Sequence, residues 1–359
     1  MFIFNGEHPE NFKKMKAKHI LMMLFPVVMT GLTTVATAQE VSPDPFLGRW
    51  SLDMEYENEN AGWMEVRLED GYLDADVLWR SGSVEPAEFV YAGWDHLYVI
   101  RSNRVVRERG SDGQPVKVHR QVFWFDLEKS GEDRITGTAY FPNRDGLGAE
   151  TVAFTGKRIP PVGPAPDLNQ VAYGEPVELF NGKDLSGWEL MGENKVSGWK
   201  VVDGILVNEP VQKEGQPHID YGNLRTTKTF EDFNLKLEVN VPEGSNSGVY
   251  LRGIYEVQVF DSYGKPLDPL HMGALYSRIT PKVSVEKPAG QWQQLDITLC
   301  NRHLTVVLNG TTIIDNEPVK GITGGAISSD EFSPGPIFLQ GDHGKVSYRN
   351  IVLTPILKP

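Results

Sequence analysis

Residues 246–262, NSGVYLRGIYEVQVFDS, alternate apolar and polar side chains with the period of two that is typical of a β-strand. From Tyr255 to Val259 the apolar residues fall on one side of an extended segment, whereas Glu256 and Gln258 fall on the other. A strand that buries one face usually presents ordinary solvated residues on the other. A carboxylate and an amide on that second face predict a polar pocket.

The flanking segments repeat the same alternation. FEDFNLKLEVNV, residues 230–241, alternates aliphatic with polar residues, and LTVVLNGTTIID, residues 304–315, contains the Asn309–Gly310 pair that favours a type I′ hairpin. About 180 residues of antiparallel strands suit a two-sheet sandwich. We therefore predict a β-sandwich over residues 174–357.

Residues 43–159 also consist of short alternating segments separated by turn residues, without a helical stretch. An antiparallel β-barrel is the simplest closure, because closing a sheet removes its exposed edges. The opening FLGRW and the closing FTGKRI resemble the ends of small lipocalin-like barrels. A proline-rich linker, residues 160–173, begins with PPVGPAPDL and separates the two predicted domains.

The first 38 residues have the three parts of a signal peptide. Four lysines between residues 13 and 18 precede the apolar run ILMMLFPVVMTGL, and small residues precede Gln39. We expect export to the periplasm or the extracellular space, with no stable membrane insertion after cleavage at residue 38. A transmembrane anchor is the alternative, but Pro26 and Gly31 interrupt a run that is already short.

Charge and motif content narrow the function classes. The 359-residue chain has a formal net charge of -13, which argues against nucleic acid or an anionic membrane as partner. It contains no Walker loop, Rossmann fingerprint or GxSxG elbow, so no nucleotide cofactor is expected. The single cysteine, Cys300, cannot form an internal disulfide and is predicted to be a buried, inert thiol.

Four polar residues are expected on one outer face of the sandwich. Glu238, Arg252, Glu256 and Gln258 carry short or forked groups suited to hydrogen-bonding sugar hydroxyls, and we place them on neighbouring strands. The alternative is structural, because Glu256 and Arg252 could simply form a cross-strand ion pair.

A glycine-rich corner near the C-terminus supplies a second candidate group. FLQGDHGKVSYRN, residues 338–350, brings His343 next to Asp342. A histidine beside a carboxylate can serve as a general base, a proton donor or a metal ligand. An ordinary surface histidine in a turn is the alternative.

Several separated motifs of the second block resemble one family, the 3-keto-disaccharide hydrolase domains, also known as domain of unknown function 1080. They are LFNGKDLSGW, GWKVVDGIL, LRTTKTFEDFNLKLEV, NSGVYLRGIYEVQVFDS, NGTTIID and GPIFLQGDHGKVSYRNI, in that order. The resemblance implies a concanavalin A-like jelly-roll with a pocket on its concave sheet. It covers nearly all of the second block and does not extend to the barrel.

The family resemblance also implies a chemistry and a substrate, a small 3-keto-glycoside. A 3-keto group acidifies the hydrogen on C2, so a base can remove it and the oxygen on C1 can leave by elimination, after which water can add. Such a reaction needs a base, a donor set or a cation for the enolate oxygen, and an acid for the leaving group. It does not need the two carboxylates of ordinary glycosidases.

Matched to the family motifs, Glu256, Asp261 and His343 are the expected catalytic residues, with Glu256 or His343 as the base. Asp261 can reach the pocket only if the strand ends or bulges near Phe260. A divalent metal ion is a candidate cofactor, with ligands that the sequence does not identify. The expected substrate-binding residues are Asn246, Arg252, Gln258, Gln340, Glu238 and Tyr276, the last being equally suited to core packing.

Two other function classes fit the same sequence. A carbohydrate-binding module on a lectin-like sandwich would use the same polar face without turnover. Alternatively, the N-terminal barrel could bind a small apolar ligand in a loosely packed interior, with the sandwich as scaffold.

Overall fold

A computed structural model describes residues 42–56, 60–213 and 215–357 of the chain, so the predicted signal peptide lies outside the described residues. Within the described ranges the regular structure consists only of strands, and every ladder between named strands is antiparallel. The prediction of an all-β chain is confirmed. The described part of the chain has no helix long and apolar enough to cross a membrane.

Nine strands form the N-terminal sheet. They are β1 (Gly48–Met54), β2 (Ala61–Glu69), β3 (Tyr72–Trp79), β4 (Glu85–Pro86), β5 (Phe89–Gly93), β6 (His96–Arg109), β7 (Pro115–Gly131), β8 (Arg134–Pro142) and β9 (Ala149–Ile159). Their order in the sheet is β4-β3-β2-β1-β9-β8-β7-β6-β5. Except for β4 and β5, successive strands are thus neighbours, and the first strand is paired to the last.

The two ends of this order are one continuous piece of chain. Ala87 N donates to Ala75 O of β3 at 2.7 Å, and the next residue, Glu88, donates from its backbone N to Ile100 O of β6 at 2.8 Å. Residues 85–93 therefore leave β3 and join β6 directly. No ladder joins β4 to β5 among the described residues, and closure into a barrel stays a prediction.

Aromatic rings fill the core of the N-terminal sheet. The Trp79 ring lies 5.1 Å from that of Phe125 and 5.7 Å from that of Phe154, between centroids. Trp50 and Phe125 are completely buried. Such packing is what a filled core requires and removes the support for a loosely packed ligand site in this sheet.

Fourteen further strands follow among the described residues. They are β10 (Ala172–Tyr173), β11 (Val177–Glu178), β12 (Trp188–Leu190), β13 (Trp199–Val202), β14 (Ile205–Asn208), β15 (Leu224–Thr226), β16 (Phe233–Asn240), β17 (Asn246–Leu251), β18 (Tyr255–Phe260), β19 (Trp292–Cys300), β20 (His303–Leu308), β21 (Thr311–Pro318), β22 (Phe338–Leu339) and β23 (Val346–Leu357). One sheet has nine strands, in the order β13-β14-β23-β16-β19-β20-β21, with β10 and β11 also paired to β23. The other has five, in the order β12-β15-β22-β17-β18.

The aliphatic faces of these two sheets share one core. Leu235 of β16 and Val257 of β18 are both fully buried in it, as the alternation in the sequence predicts. Cys300 is 3% exposed, and burial raises the pKa of its thiol to about 11, so it is the inert buried thiol that was expected.

The described residues belong to one compact unit. The N-terminal sheet and the sandwich contact each other directly, for example through the 2.6 Å hydrogen bond that Ser329 Oγ donates to Asp53 Oδ1. The domain boundary at residues 160–173 therefore stays a prediction.

Candidate active site

A polar cavity of about 380 Å³ lies over the five-stranded sheet. None of the described residues that line it is a lysine or an arginine. The lining residues are Ser81, Gly82, Asn223, Asn246, Tyr250, Glu256, Gln258, Tyr276, Gly324, Gly325, Gln340, Asp342 and His343. The structure thus brings together six of the predicted site residues: Asn246, Glu256, Gln258, Tyr276, Gln340 and His343.

Glu256 is the most buried acid of the cavity. It lies on β18, the edge strand of the five-stranded sheet, directly opposite Tyr250 of β17, and only 4% of it is exposed. Its carboxyl lies over Gly248 of the neighbouring strand, where an added Cβ would lie 2.9 Å from Glu256 Cδ and still closer to Oε1. A glycine at this position therefore leaves the space that the carboxyl occupies.

The surroundings of Glu256 favour its neutral form. Burial raises the pKa of its carboxyl to about 8, against the opposing effects of the Tyr250 hydrogen bond and the charge of His343. A carboxyl with such a pKa can hold or accept a proton near neutral pH, as a general acid or base must.

Tyr250 connects Glu256 to a loop corner. Its hydroxyl oxygen lies 2.9 Å from Glu256 Oε2 and 2.7 Å from Gly324 O, and its ring stacks on Phe338 at 3.8 Å between centroids. A hydroxyl has one proton to donate. When Glu256 is protonated it can donate to Tyr250, which then donates to Gly324 O; when it is ionised, Tyr250 can donate to the carboxylate instead. Burial, followed by the charge of Glu256, raises the pKa of Tyr250 well above its ordinary value, so this hydroxyl keeps its proton.

His343 and Asp342 form a pair at the rim of the cavity. Their Nδ1 and Oδ1 atoms are 2.6 Å apart, and the two side chains are 47% and 44% exposed. The hydrogen bond with Asp342 raises the pKa of the imidazole. Burial alone would raise the pKa of Asp342, but the hydrogen bond and the charge of His343 lower it. The pair therefore favours an imidazolium that can donate from Nε2.

Two asparagines that the sequence did not single out hold this corner. Asn208, fully buried on β14, donates from Nδ2 to Gly341 O at 2.9 Å and to Gly344 O at 3.0 Å. Asn223 Oδ1 accepts from Gly341 N at 2.9 Å. Both ends of the Gly341–Gly344 turn are thus tied to the sandwich, and His343 is presented from a fixed backbone.

The amide residues of the cavity differ in how much of their bonding capacity is free. Asn246 Oδ1 and Gln340 Oε1 are buried oxygens without a hydrogen-bond partner, a situation that a ligand or water normally satisfies. Gln258 is engaged already, because Nε2 donates to Leu270 O at 3.2 Å and Oε1 accepts from Val259 N at 3.1 Å. Tyr276 is held beside Glu256 by a 3.0 Å hydrogen bond between the two backbones.

Two residues do not share the polar face predicted for them. Arg252 lies in the turn between β17 and β18 with a φ of 54°, is 4% exposed, and donates to Glu331 O at 2.7 Å and Ser333 O at 2.6 Å. Its guanidinium neither pairs with Glu256 nor lines the cavity. Glu238 lies on β16 of the other sheet, where Arg349 and Asn350 donate to it. The prediction of one shared face was wrong for both residues.

Asp261 also lies apart from the cavity. β18 ends at Phe260, and Asp261 Oδ2 accepts from Gly244 N at 2.9 Å, which closes the turn before β17. Asp261 lines a different, smaller hollow beside Tyr263 and Lys287. The strand does end near Phe260, which was the condition for Asp261 to reach the pocket. Its carboxylate nevertheless does not line the cavity.

The structure does not identify ligands for the predicted divalent metal ion. Among the described residues no cluster of three or more His, Cys, Asp or Glu side chains could hold an ion. The cavity oxygens of Asn246 and Gln340 are hard donors, but two amides do not define a divalent site. A metal cofactor therefore stays a prediction.

The sequence pointed to some of the cavity but not all of it. Tyr250 belongs to the quoted segment and has the same even-numbered parity as Glu256. Because residues directly opposite on adjacent strands share a face, this parity could have identified Tyr250 as a cavity residue. Ser81 and Gly82 carry no such signal. They come from the N-terminal sheet and meet the cavity only through tertiary packing.

Comparison with known proteins defines the class. A family model, described as a 3-keto-alpha-glucoside-1,2-lyase-like domain, matches residues 175–354, and the chain belongs to this family. A protein of Bacteroides thetaiotaomicron named 3-keto-disaccharide hydrolase is 30% identical over 149 residues, which cover 34% of this chain and 51% of the relative. The chain thus spans about half the length of the curated relative that it matches.

Two solved structures are each similar to about half of this chain. The crystal structure of a candidate glycosyl hydrolase from Parabacteroides distasonis is 30% identical, with a TM-score of 0.41, and the match covers 55% of this chain and 92% of that one. A carbohydrate-binding module from Bacillus subtilis is 13% identical, with a TM-score of 0.31, over 46% of this chain and 93% of that one.

Proposed function

We propose that this protein cleaves the glycosidic bond of small 3-keto-glycosides, by removal of the C2 proton and elimination at C1 followed by addition of water. One observation carries the proposal: Glu256 is an almost completely buried carboxyl in a polar cavity, with a pKa of about 8. A binding module gains nothing from burying an acid without a cation, whereas a proton-transfer enzyme needs a group whose pKa lies near the working pH.

In the proposed reaction Glu256 is the base. Its ionised carboxylate accepts the C2 proton, and the electron pair of the C2–H bond passes into the ketone to give an enolate. The C1–O bond then breaks, the enolate electrons form the C1=C2 bond and restore the C3 ketone, and the leaving oxygen takes a proton. Water adds across C1=C2 to give the free 3-keto-sugar. Each step balances without an oxidant or a second carboxylate.

The other cavity groups suit the remaining needs of this reaction. An imidazolium at His343 can give the proton to the leaving oxygen, which the raised pKa of His343 supports. The amide groups of Asn246 and Gln340 are hydrogen-bond partners for the sugar hydroxyls, and the unpaired buried oxygens of the two amides support hydroxyl binding. A divalent metal, if one binds, would stabilise the enolate oxygen.

The first test measures release from a 3-keto-glucoside with a chromogenic leaving group. Glu256→Gln should lower kcat/KM by about 10²- to 10⁴-fold, and His343→Ala by a smaller factor. Glu238→Gln, a change of the same chemistry on the other sheet, is the matched control and should leave kcat/KM unchanged. Treatment with a chelator tests the metal separately.

The pH dependence identifies the role of Glu256. If it is the base, kcat/KM should rise with pH and level off above a pKa of about 8. A fall above that pH that persists in His343→Ala would make Glu256 an acid instead, whereas a fall that disappears in that variant belongs to the His343 imidazolium. If the wild type binds keto-sugars but releases nothing from them, the catalytic proposal fails and a binding module remains.

We also propose that residues 1–38 direct export. The charge and hydropathy of this segment support it. Fractionation of the expressing cells and N-terminal sequencing of the mature protein should locate it outside the cytoplasm, beginning at Gln39. An intact N-terminus on cytoplasmic protein would contradict export.

A further inference from the structure

The cavity is not built by the family domain alone. Ser81 and Gly82 line it, although they belong to the connection between β3 and β4 of the N-terminal sheet, far outside the matched residues 175–354. The N-terminal sheet therefore contributes part of the wall around Glu256.

The connection is in direct backbone contact with the sandwich. Gly325 N donates to Arg80 O at 3.1 Å. A Cβ added to Gly324 would lie 2.7 Å from Gly82 N and closer still to Gly82 O, so any side chain at position 324 would push the two segments apart. The absence of a side chain at Gly324 is what allows the N-terminal turn to reach the cavity.

Further contacts fix this wall in place. Val84 N donates to Ser277 Oγ at 2.8 Å, immediately after the turn. The guanidinium of Arg278 lies 4.1 Å from the ring centroid of Trp63 on β2. These hydrogen bonds and the ring contact hold the turn against the sandwich and so fix its distance from Glu256, as a wall that must discriminate by size requires.

The Ser81–Gly82 turn and the His343 corner lie toward different ends of the β17–β18 hairpin. At the open end, Gln340 N donates to Gly248 O at 3.0 Å, and a Cβ added to Gly344 would lie 3.0 Å from Asn246 N. At the end that carries the turn, Thr323 N donates to Ile254 O at 2.9 Å, and Ser81 and Gly82 line the cavity against Gly324. Glu256, opposite Tyr250, lies between these two sets of contacts.

We infer that the Ser81–Gly82 turn is a specificity-determining wall that closes the cavity on the side away from the scissile bond. The inference rests on the proposed function, in which His343 serves the leaving group. The ring edge of the keto-sugar remote from C1 then faces the turn, and only a terminal 3-keto-glycosyl unit fits. A glycoside with a further sugar on that edge is excluded.

The test uses the full chain and two substrates. One is a 3-keto-glucoside with a chromogenic leaving group, and the other carries an additional glucosyl group on O4, across the ring from C1. We expect the wild type to prefer the first by about tenfold or more in kcat/KM. Ser81→Trp should lower kcat/KM for the first substrate by about tenfold or more, mainly through KM. Ser111→Trp, in an exposed turn of the same sheet, should leave it unchanged.

Two results would overturn the inference: equal kcat/KM for both substrates, or a Ser81→Trp variant within twofold of the wild type. If the wild type cleaves neither substrate, the proposed function fails. Calorimetric titration with 3-keto-glucose then tests independently whether the Ser81–Gly82 turn limits the cavity. Weaker binding in Ser81→Trp than in Ser111→Trp supports it. Equal binding, or no binding to any of the three proteins, overturns it.

Discussion

Two buried glutamates, each hydrogen-bonded to a tyrosine, are placed in opposite electrostatic settings in this molecule. Glu331, 1% exposed, accepts from Tyr255 Oη at 2.7 Å and lies 3.2 Å from the guanidinium of Arg302. Glu256, 4% exposed, has Tyr250 but faces a cavity in which no described lining residue is a lysine or arginine. One carboxyl is paired with a cation, and the other is not.

The difference separates structure from chemistry. A buried carboxylate that meets a guanidinium is compensated, and removing either partner leaves an uncompensated charge. A buried carboxyl without a cation holds its proton instead, at a cost in stability once it ionises, and such groups concentrate at active sites. Glu331 therefore supports the fold by linking Tyr255 to Arg302, whereas Glu256 gives the cavity a group that can transfer a proton.

The largest expected effect on stability comes from breaking the compensated pair. Glu331→Gln should lower the free energy of unfolding at pH 7 by about 3 kcal/mol, because it leaves Arg302 charged and buried without its partner. Chemical denaturation measures this change. The rate per folded molecule should stay within about twofold of the wild type. A stable variant, or one that folds but has lost its activity, would contradict the division of roles.

Glu256→Gln should do the reverse, and its effect on stability depends on pH. The folded chain keeps the Glu256 proton up to about pH 8, whereas the unfolded chain releases it near the ordinary value of 4.5. Between those values the folded state binds more protons, so stability falls as pH rises. At about 1.4 kcal/mol for each pKa unit, the glutamine variant should be more stable than the wild type by on the order of 2–4 kcal/mol above pH 8.

The same variant should come close to the wild type at pH 4.5, where Glu256 is protonated in the folded state and half protonated in the unfolded state. Denaturation curves at pH 4.5, 6.5 and 8.5 check the trend, with Glu238→Gln as the control. If the stability difference between Glu256→Gln and the wild type is independent of pH, the carboxyl is not held neutral by burial.

Local patterns in the sequence predicted the strands and the core of the site. Alternation from Tyr255 to Val259 depends only on neighbours along the chain, and the glycine corner of His343 is equally local. Arg252 has the same even parity as Glu256, but its φ of 54° ends the alternation before the strand begins. An alternation with a period of two cannot locate such a turn residue, because the alternation says nothing about the φ and ψ angles of the backbone.

Contacts between distant parts of the chain could not be predicted in this way. Alternation places Glu238 on a polar face but does not say which of two sheets contains it, and β16 proved to lie in the other one. Asn208 reaches the His343 corner across 136 residues, and Ser81 reaches the cavity from another sheet. These positions depend on how whole sheets pack against each other, which the alternation along a single sequence does not reveal.

The smallest expected effect distinguishes the two tyrosines. The Tyr250 hydroxyl lowers the pKa of Glu256 because it donates to the ionised carboxylate, against the larger effect of burial. Tyr250→Phe removes that donor, so the midpoint of the kcat/KM profile should move up from about 8, by about one pH unit. Tyr255→Phe removes the equivalent hydroxyl from Glu331 and should leave the midpoint unchanged, since Glu331 does not line the cavity. Equal shifts in the two variants would mean that the profile reports the fold as a whole, whereas a shift in Tyr250→Phe alone assigns the titrating group to Glu256.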